Sequence, residues 1–108
     1  MFSFEDITKL FSFDIEGKMC IEVKFRVEGE PEYASCWMGK MPDDDNEGQV
    51  IYWYGLKPDG SAGFDYDSLE AFLAAPVFGG RSMKEIWGKI QILSIDGLAP
   101  EERIRVYI

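Results

Sequence analysis

Met19, Ile21, Val23, Phe25 and Val27 alternate strictly with Cys20, Glu22, Lys24 and Arg26. A period of two sends successive side chains to opposite faces of an extended backbone, so this segment predicts a half-buried β-strand. Ahead of it, Ser3 stands in N-cap position before Phe4, Ile7, Leu10 and Phe11 at helical spacing, which predicts a short N-terminal helix. Phe11, Phe13 and Ile15 then alternate, and Glu16-Gly17 supplies a tight turn. Residues 33–38 and 49–56 read as two more strands joined across an acidic segment, and KPDGSAG (57–63) reads as a loop.

Two helical patterns follow. Asp67 with Glu70, and Ser82 with Glu85, have the spacing of a capping box, in which each side chain satisfies a backbone N–H of the first turn. Leu69, Phe72 and Leu73 form one apolar stripe; Met83, Ile86, Trp87 and Ile90 form the other. Helices are therefore expected over roughly 67–75 and 82–88, separated by Pro76 and Gly79-Gly80, with Trp87 buried. Residues 90–95 and 103–107 read as closing strands. This order predicts an α+β fold: a mostly antiparallel sheet of five to six strands with both helices on one face.

Composition makes this a packed domain. In 108 residues, 46% are hydrophobic and 15% aromatic, enough for one core without a disulfide or metal staple. Cys20 and Cys36 are expected as free thiols. The opening MFSFED has acids where a signal peptide carries bases. The longest apolar run, 71–78, contains Pro76 and is too short to span a bilayer. A cytoplasmic location is expected.

Charge changes the picture further. The net charge of −9 is confined to one region: residues 28–70 hold eleven acids against Lys40 and Lys57. The flanking segments nearly balance. With no cluster of Lys and Arg to displace counterions, binding to nucleic acid or to an anionic membrane is disfavoured.

Candidate chemistry is sparse. The chain has no histidine, which removes the commonest general base and transition-metal ligand and any Ser-His or Cys-His pair. No cofactor is implied. The stretch MPDDDNEGQV places Asp43, Asp45 and Glu47 at alternate positions before Gly48, like the start of a calcium loop. A twelve-residue loop beginning at Asp43 would need a bidentate Glu where Tyr54 stands, and helices on both sides. The run therefore predicts no tight calcium site but a solvated turn between strands, its acids repelling other edges, with a looser oxygen site at Asp43, Asp45 and Glu47 as the alternative.

Beside it, IYWYG places Tyr52 and Tyr54 on one side of a strand and Ile51 and Trp53 on the other. In YASCWM, Tyr33 and Trp37 share a face. Both sides of 51–54 are bulky, so unless helices cover both, one aromatic set is at least partly exposed. FGGRS (78–82) offers a further candidate: Gly79, Gly80, Arg81 and Ser82 at a helix start form a possible anion site. It lacks the fuller glycine-and-lysine pattern of a phosphate loop, and plain helix punctuation explains the same residues.

In size, acidity and lack of catalytic groups, the chain resembles small bacterial proteins that bind and neutralise a partner, including immunity proteins. The likeness is one of gross character and carries no residue across. The expected function is a non-catalytic protein-binding module for a partner with a basic surface. Asp43, Asp44, Asp45 and Glu47 would steer it; Tyr33, Trp37, Tyr52 and Tyr54 would supply anchors. Two alternatives stand beside it: a carbohydrate or small-ligand domain using an aromatic sheet face, and a carboxylate-based hydrolase.

Overall fold

A computed structural model of the chain describes residues 2–14 and 19–107. The fold is α+β. Helix α1 (Phe4–Ser12) opens it, followed by strands β1 (Ile21–Val27), β2 (Cys36–Pro42), β3 (Val50–Gly55) and β4 (Gly63–Tyr66). Helix α2 (Leu69–Ala74), strand β5 (Ile90–Ile95) and a short helix α3 (Pro100–Arg103) complete the order. The five strands form one antiparallel sheet in the order β4-β3-β2-β1-β5. Strands β1 to β4 are thus a meander. The chain then crosses one face, through α2 and a run of turns, to lay β5 against the other edge of β1.

That crossing decides which face is core. Ile21, Val23, Phe25 and Val27 all point beneath the helices and are at most 2% exposed. Ile7, Leu10 and Phe11 of α1, Phe72 of α2, and Phe78, Met83 and Ile86 from the turns close over them. Helix α1 starts as expected: the Ser3 hydroxyl accepts from the Asp6 N–H at 3.0 Å, and the Asp6 carboxylate accepts from the Ser3 N–H at 3.1 Å.

Several expectations are corrected. Residues 82–88 do not form an α-helix: turns lead into one 3₁₀ turn, Trp87–Lys89. The Ser82–Glu85 capping box does form, at 2.9 and 3.3 Å. A single bond spans four residues, from Ile86 N–H to the Ser82 carbonyl at 3.3 Å; the next ones span three, as in Lys89 N–H to the Ile86 carbonyl at 2.9 Å. Gly88 weakens helix propagation, and the pairing of Ile90 with Val27 pulls the chain into extended backbone before a second turn can close. Trp87 is only half-buried, its Nε1–H donating to the Phe2 carbonyl at 3.1 Å.

The strand expected over 103–107 is helical instead. Pro100 suits the first turn of a helix and cannot donate to a ladder; α3 therefore forms and runs into a 3₁₀ turn at Ile104–Val106. Asp96 and Gly97, both at positive φ (52° and 77°), make a two-residue reversal that pairs Ile95 with Leu98. Asp96 then holds the end of the chain, its carboxylate accepting from the Glu22 N–H (2.9 Å), Arg103 Nε (3.0 Å) and the Tyr107 hydroxyl (2.8 Å).

Smaller differences concern boundaries. The second and third strands run 36–42 and 50–55, and Tyr33 belongs to a 3₁₀ turn, Pro31–Tyr33. The loop KPDGSAG ends in a strand, β4, that the sequence pattern does not announce. Ser68, not Asp67, caps α2, accepting from the Ala71 N–H at 3.1 Å. Phe11 lies in α1 rather than in a strand, while Ile15, Glu16 and Gly17 lie outside the described residues. Cys20 is exposed, Cys36 is buried, and both are free thiols. No helix among the described residues is long and apolar enough to cross a membrane.

Candidate functional site: the uncovered sheet face

The elements that cover the sheet pack on one side of it. On the other side, alternation places Glu22, Lys24 and Arg26 of β1, Trp37, Gly39 and Met41 of β2, Ile51, Trp53 and Gly55 of β3, and Asp65 of β4. An antiparallel sheet with one open face ordinarily shows polar residues there. This face instead carries two tryptophans, an isoleucine and a methionine, the last 43% exposed.

The register sets how the aromatics lie. Trp37 pairs with Lys24 on one side and Gly55 on the other; Trp53 pairs with Gly39 and Asp65. The Trp53 indole lies across Gly39, so close that a Cβ there would stand 2.7 Å from a ring carbon. Gly39 thus makes the room in which the ring lies down on the sheet. The Lys24 ammonium sits 5.8 Å from the centre of the Trp37 ring, a cation–π contact supplied by the chain itself.

The acids stand at one corner of this face. The β2–β3 connection carries Asp43, Asp44, Asp45 and Glu47, and all but the half-buried Asp43 are exposed. Asp43 folds the connection back on itself: its carboxylate accepts from the Asp45 N–H at 3.0 Å and from Asn46 Nδ2 at 2.9 Å. These bonds hold its carboxyl below the usual range. The pairing of Tyr66 with Tyr52 brings Asp67 to the same corner. There Ile51, Asp65, Tyr66 and Asp67 line an open depression of about 360 Å³. Among the described residues, no group of three or more potential ligands is placed to hold a metal ion.

The remaining sequence-derived candidates lie elsewhere. Tyr52 and Tyr54 are in the core; Tyr54 stacks on Phe72 at 4.3 Å and donates its hydroxyl to the Phe72 carbonyl at 2.8 Å. Tyr33 does not share a face with Trp37, because the 3₁₀ turn rotates it into the core, edge-on to Phe78 at 5.5 Å. Burial raises the pKa of all three phenols. The aromatic residues of the open face are instead Trp37 and Trp53. The alternation in IYWYG defines both sets; only the position of the helices says which is covered.

At 78–82, Gly79 and Gly80 take positive φ (64° and 88°) and turn the chain. Arg81 is engaged within the fold: its guanidinium makes a two-pronged pair with Glu30, at 2.9 and 2.5 Å, and Nε donates to the Phe78 carbonyl at 2.8 Å. Ser82 is occupied by its capping box with Glu85. These contacts tie the crossover to the β1–β2 connection.

The chain matches no protein-family model, no curated protein and no solved structure.

Proposed function

We propose that this protein is a non-catalytic binding module whose uncovered sheet face docks a protein partner with a basic surface. The observation that carries the reading is the pair Trp37 and Trp53, half-exposed on the sheet face that no helix among the described residues covers. Large rings set in a flat face and rimmed by charge supply the desolvated contacts that slow dissociation. Asp65 pairs with Trp53, and the acids of 43–47 stand at the corner of the face beyond Met41 and Ile51; together with Asp67 they would raise the association rate of a cationic surface. The hydrolase alternative is less well supported, because the depression that holds two acids is open to solvent. A sugar platform is also less well supported, because Lys24 already occupies the Trp37 ring.

The test is capture from native lysate by the wild-type chain and by a Trp37→Ser, Trp53→Ser variant, followed by binding rates of any differential partner at low and high salt. The reading expects a basic partner that the variant fails to retain. Association should slow with salt, and with Asn and Gln at positions 43, 44, 45 and 47. A partner whose binding ignores the tryptophans, the acids and salt would overturn it.

A further inference from the structure

The two tryptophans of the open face are not equivalent. Trp37 has the chain's own cation over it, Lys24 at 5.8 Å. The other rings with a nearby cation are Tyr52, Phe4 and Tyr107, so among the described residues Trp53 has none. Where Trp37 pairs across the strand with a lysine, Trp53 pairs with Asp65. Asp67, just past the end of β4, lines one open depression with Ile51, Asp65 and Tyr66. Neither Asp65 nor Asp67 pairs with a cation of the chain among the described residues. An indole with no cation over it stands next to Asp65 in the register, and Ile51 and Asp67 lie around that same carboxylate. Trp37 shows that this face holds a cation over a ring.

Resting on the docking reading above, we infer that Trp53, Asp65 and Asp67 form the subsite for an arginine side chain of the partner. A planar guanidinium suits this arrangement better than an ammonium. It stacks on an indole, it is weakly hydrated, and its fork of N–H donors reaches two carboxylates at once. The aliphatic stem of the arginine covers Ile51, while the charge remains at the acidic corner.

The probe is N-acetyl-arginine amide, with the lysine and glutamine amides as controls, titrated while the three indole N–H resonances are followed by NMR. The expected result is a saturable, millimolar shift of the Trp53 resonance with the arginine amide, a weaker one with lysine and none with glutamine. Asp65→Asn with Asp67→Asn should weaken the arginine response by about tenfold, and the Trp37 resonance should stay in place. Equal responses at Trp37 and Trp53, or a response that survives the double Asn variant, would overturn the assignment. No response at Trp53, with the partner still bound through Trp37 and Trp53, sinks the arginine subsite and leaves the docking reading standing. A specific arginine response without any tryptophan-dependent partner supports the subsite and sinks the docking reading.

Discussion

Residue 39 of β2 has no side chain, and the indole of Trp53 on β3 occupies the space one would take. A Cβ at Gly39 would also meet the Ile21 carbonyl of β1, a backbone atom that cannot swing aside. One glycine therefore serves both the closeness of the central strands and the flat pose of the aromatic face. Gly39→Ala is expected to destabilise the fold by about 1–3 kcal/mol, as overpacking does, and to shift the Trp53 indole resonance. Urea unfolding and an NMR spectrum check both. An alanine variant as stable as wild type, with Trp53 unmoved, would show that the strands part at little cost.

Tyr54 uses its ring and its hydroxyl separately. The ring stacks on Phe72, and the hydroxyl satisfies a carbonyl of α2, a helix of six residues that ends at Ala75 with only one cap bond. Tyr54→Phe keeps the stack and leaves the Phe72 carbonyl only the Ala75 N–H at 3.4 Å, which should cost about 0.5–1.5 kcal/mol. Tyr54→Ala removes both, and about 3–5 kcal/mol is expected. Chemical denaturation of the two variants side by side separates the contributions; equal losses would mean the hydroxyl contributes everything.

Lys40 is a buried cation on the core face, 1% exposed, between Ile21 and Tyr52 in the register. Its ammonium donates to the carbonyls of Phe11 (2.9 Å) and Phe13 at the C-terminal end of α1, with an Asp14 carboxylate oxygen 4.0 Å away. A positive charge there opposes the negative end of the helix dipole. Burial lowers its pKa from the ordinary 10.5, and the Asp14 charge partly restores it. Lys40→Met leaves two carbonyls without their donor and should cost about 1–3 kcal/mol at neutral pH. In the alkaline window below 10.5 the unfolded chain holds the Lys40 proton more tightly than the folded one, so this residue's contribution rises with pH. The stability gap between wild type and Lys40→Met should therefore widen as pH climbs toward that value. A gap that narrows would mean the ammonium is held more tightly folded than unfolded.

Glu30 accepts from Arg81, with Lys89 Nζ at 3.5 Å, and the Arg81 hydrogen bonds hold its carboxyl below the ordinary 4.5. The sign is opposite to that of Lys40. Above 4.5 the pair contributes fully; as pH falls through the lowered folded value, the unfolded chain takes up the proton first and the contribution is lost. Glu30→Gln should lower stability at neutral pH and flatten the acid limb of a plot of urea midpoint against pH. An acid limb identical to wild type would assign the acid sensitivity to other carboxylates.

The local pattern of the chain was enough for α1 and β1. The alternation through Ile21–Val27 needs only a period of two, and the Ser3 cap needs only residues three apart. The α+β class follows from the order of those signals. Where the signal was local but the outcome was not, sequence reading stopped short. Ser82 and Glu85 form their capping box, yet the helix is cut off because Ile90 must pair with Val27, 63 residues earlier. The last residues look like a strand until Asp96 claims Arg103 and Tyr107.

The binding face divides in the same way. Alternation alone determines that Tyr52 and Tyr54 oppose Ile51 and Trp53, and the order of charged residues alone determines that the negative charge gathers between 28 and 70. Which aromatic pair meets water is a tertiary decision. The crossover from β4 to β5 carries Phe72, Phe78 and Met83 over one face, burying the tyrosines and leaving Trp37 and Trp53 beside Asp65 on the other. A strand has two equivalent sides until something large is laid on one of them, and here that choice rests on contacts between residues far apart in the chain.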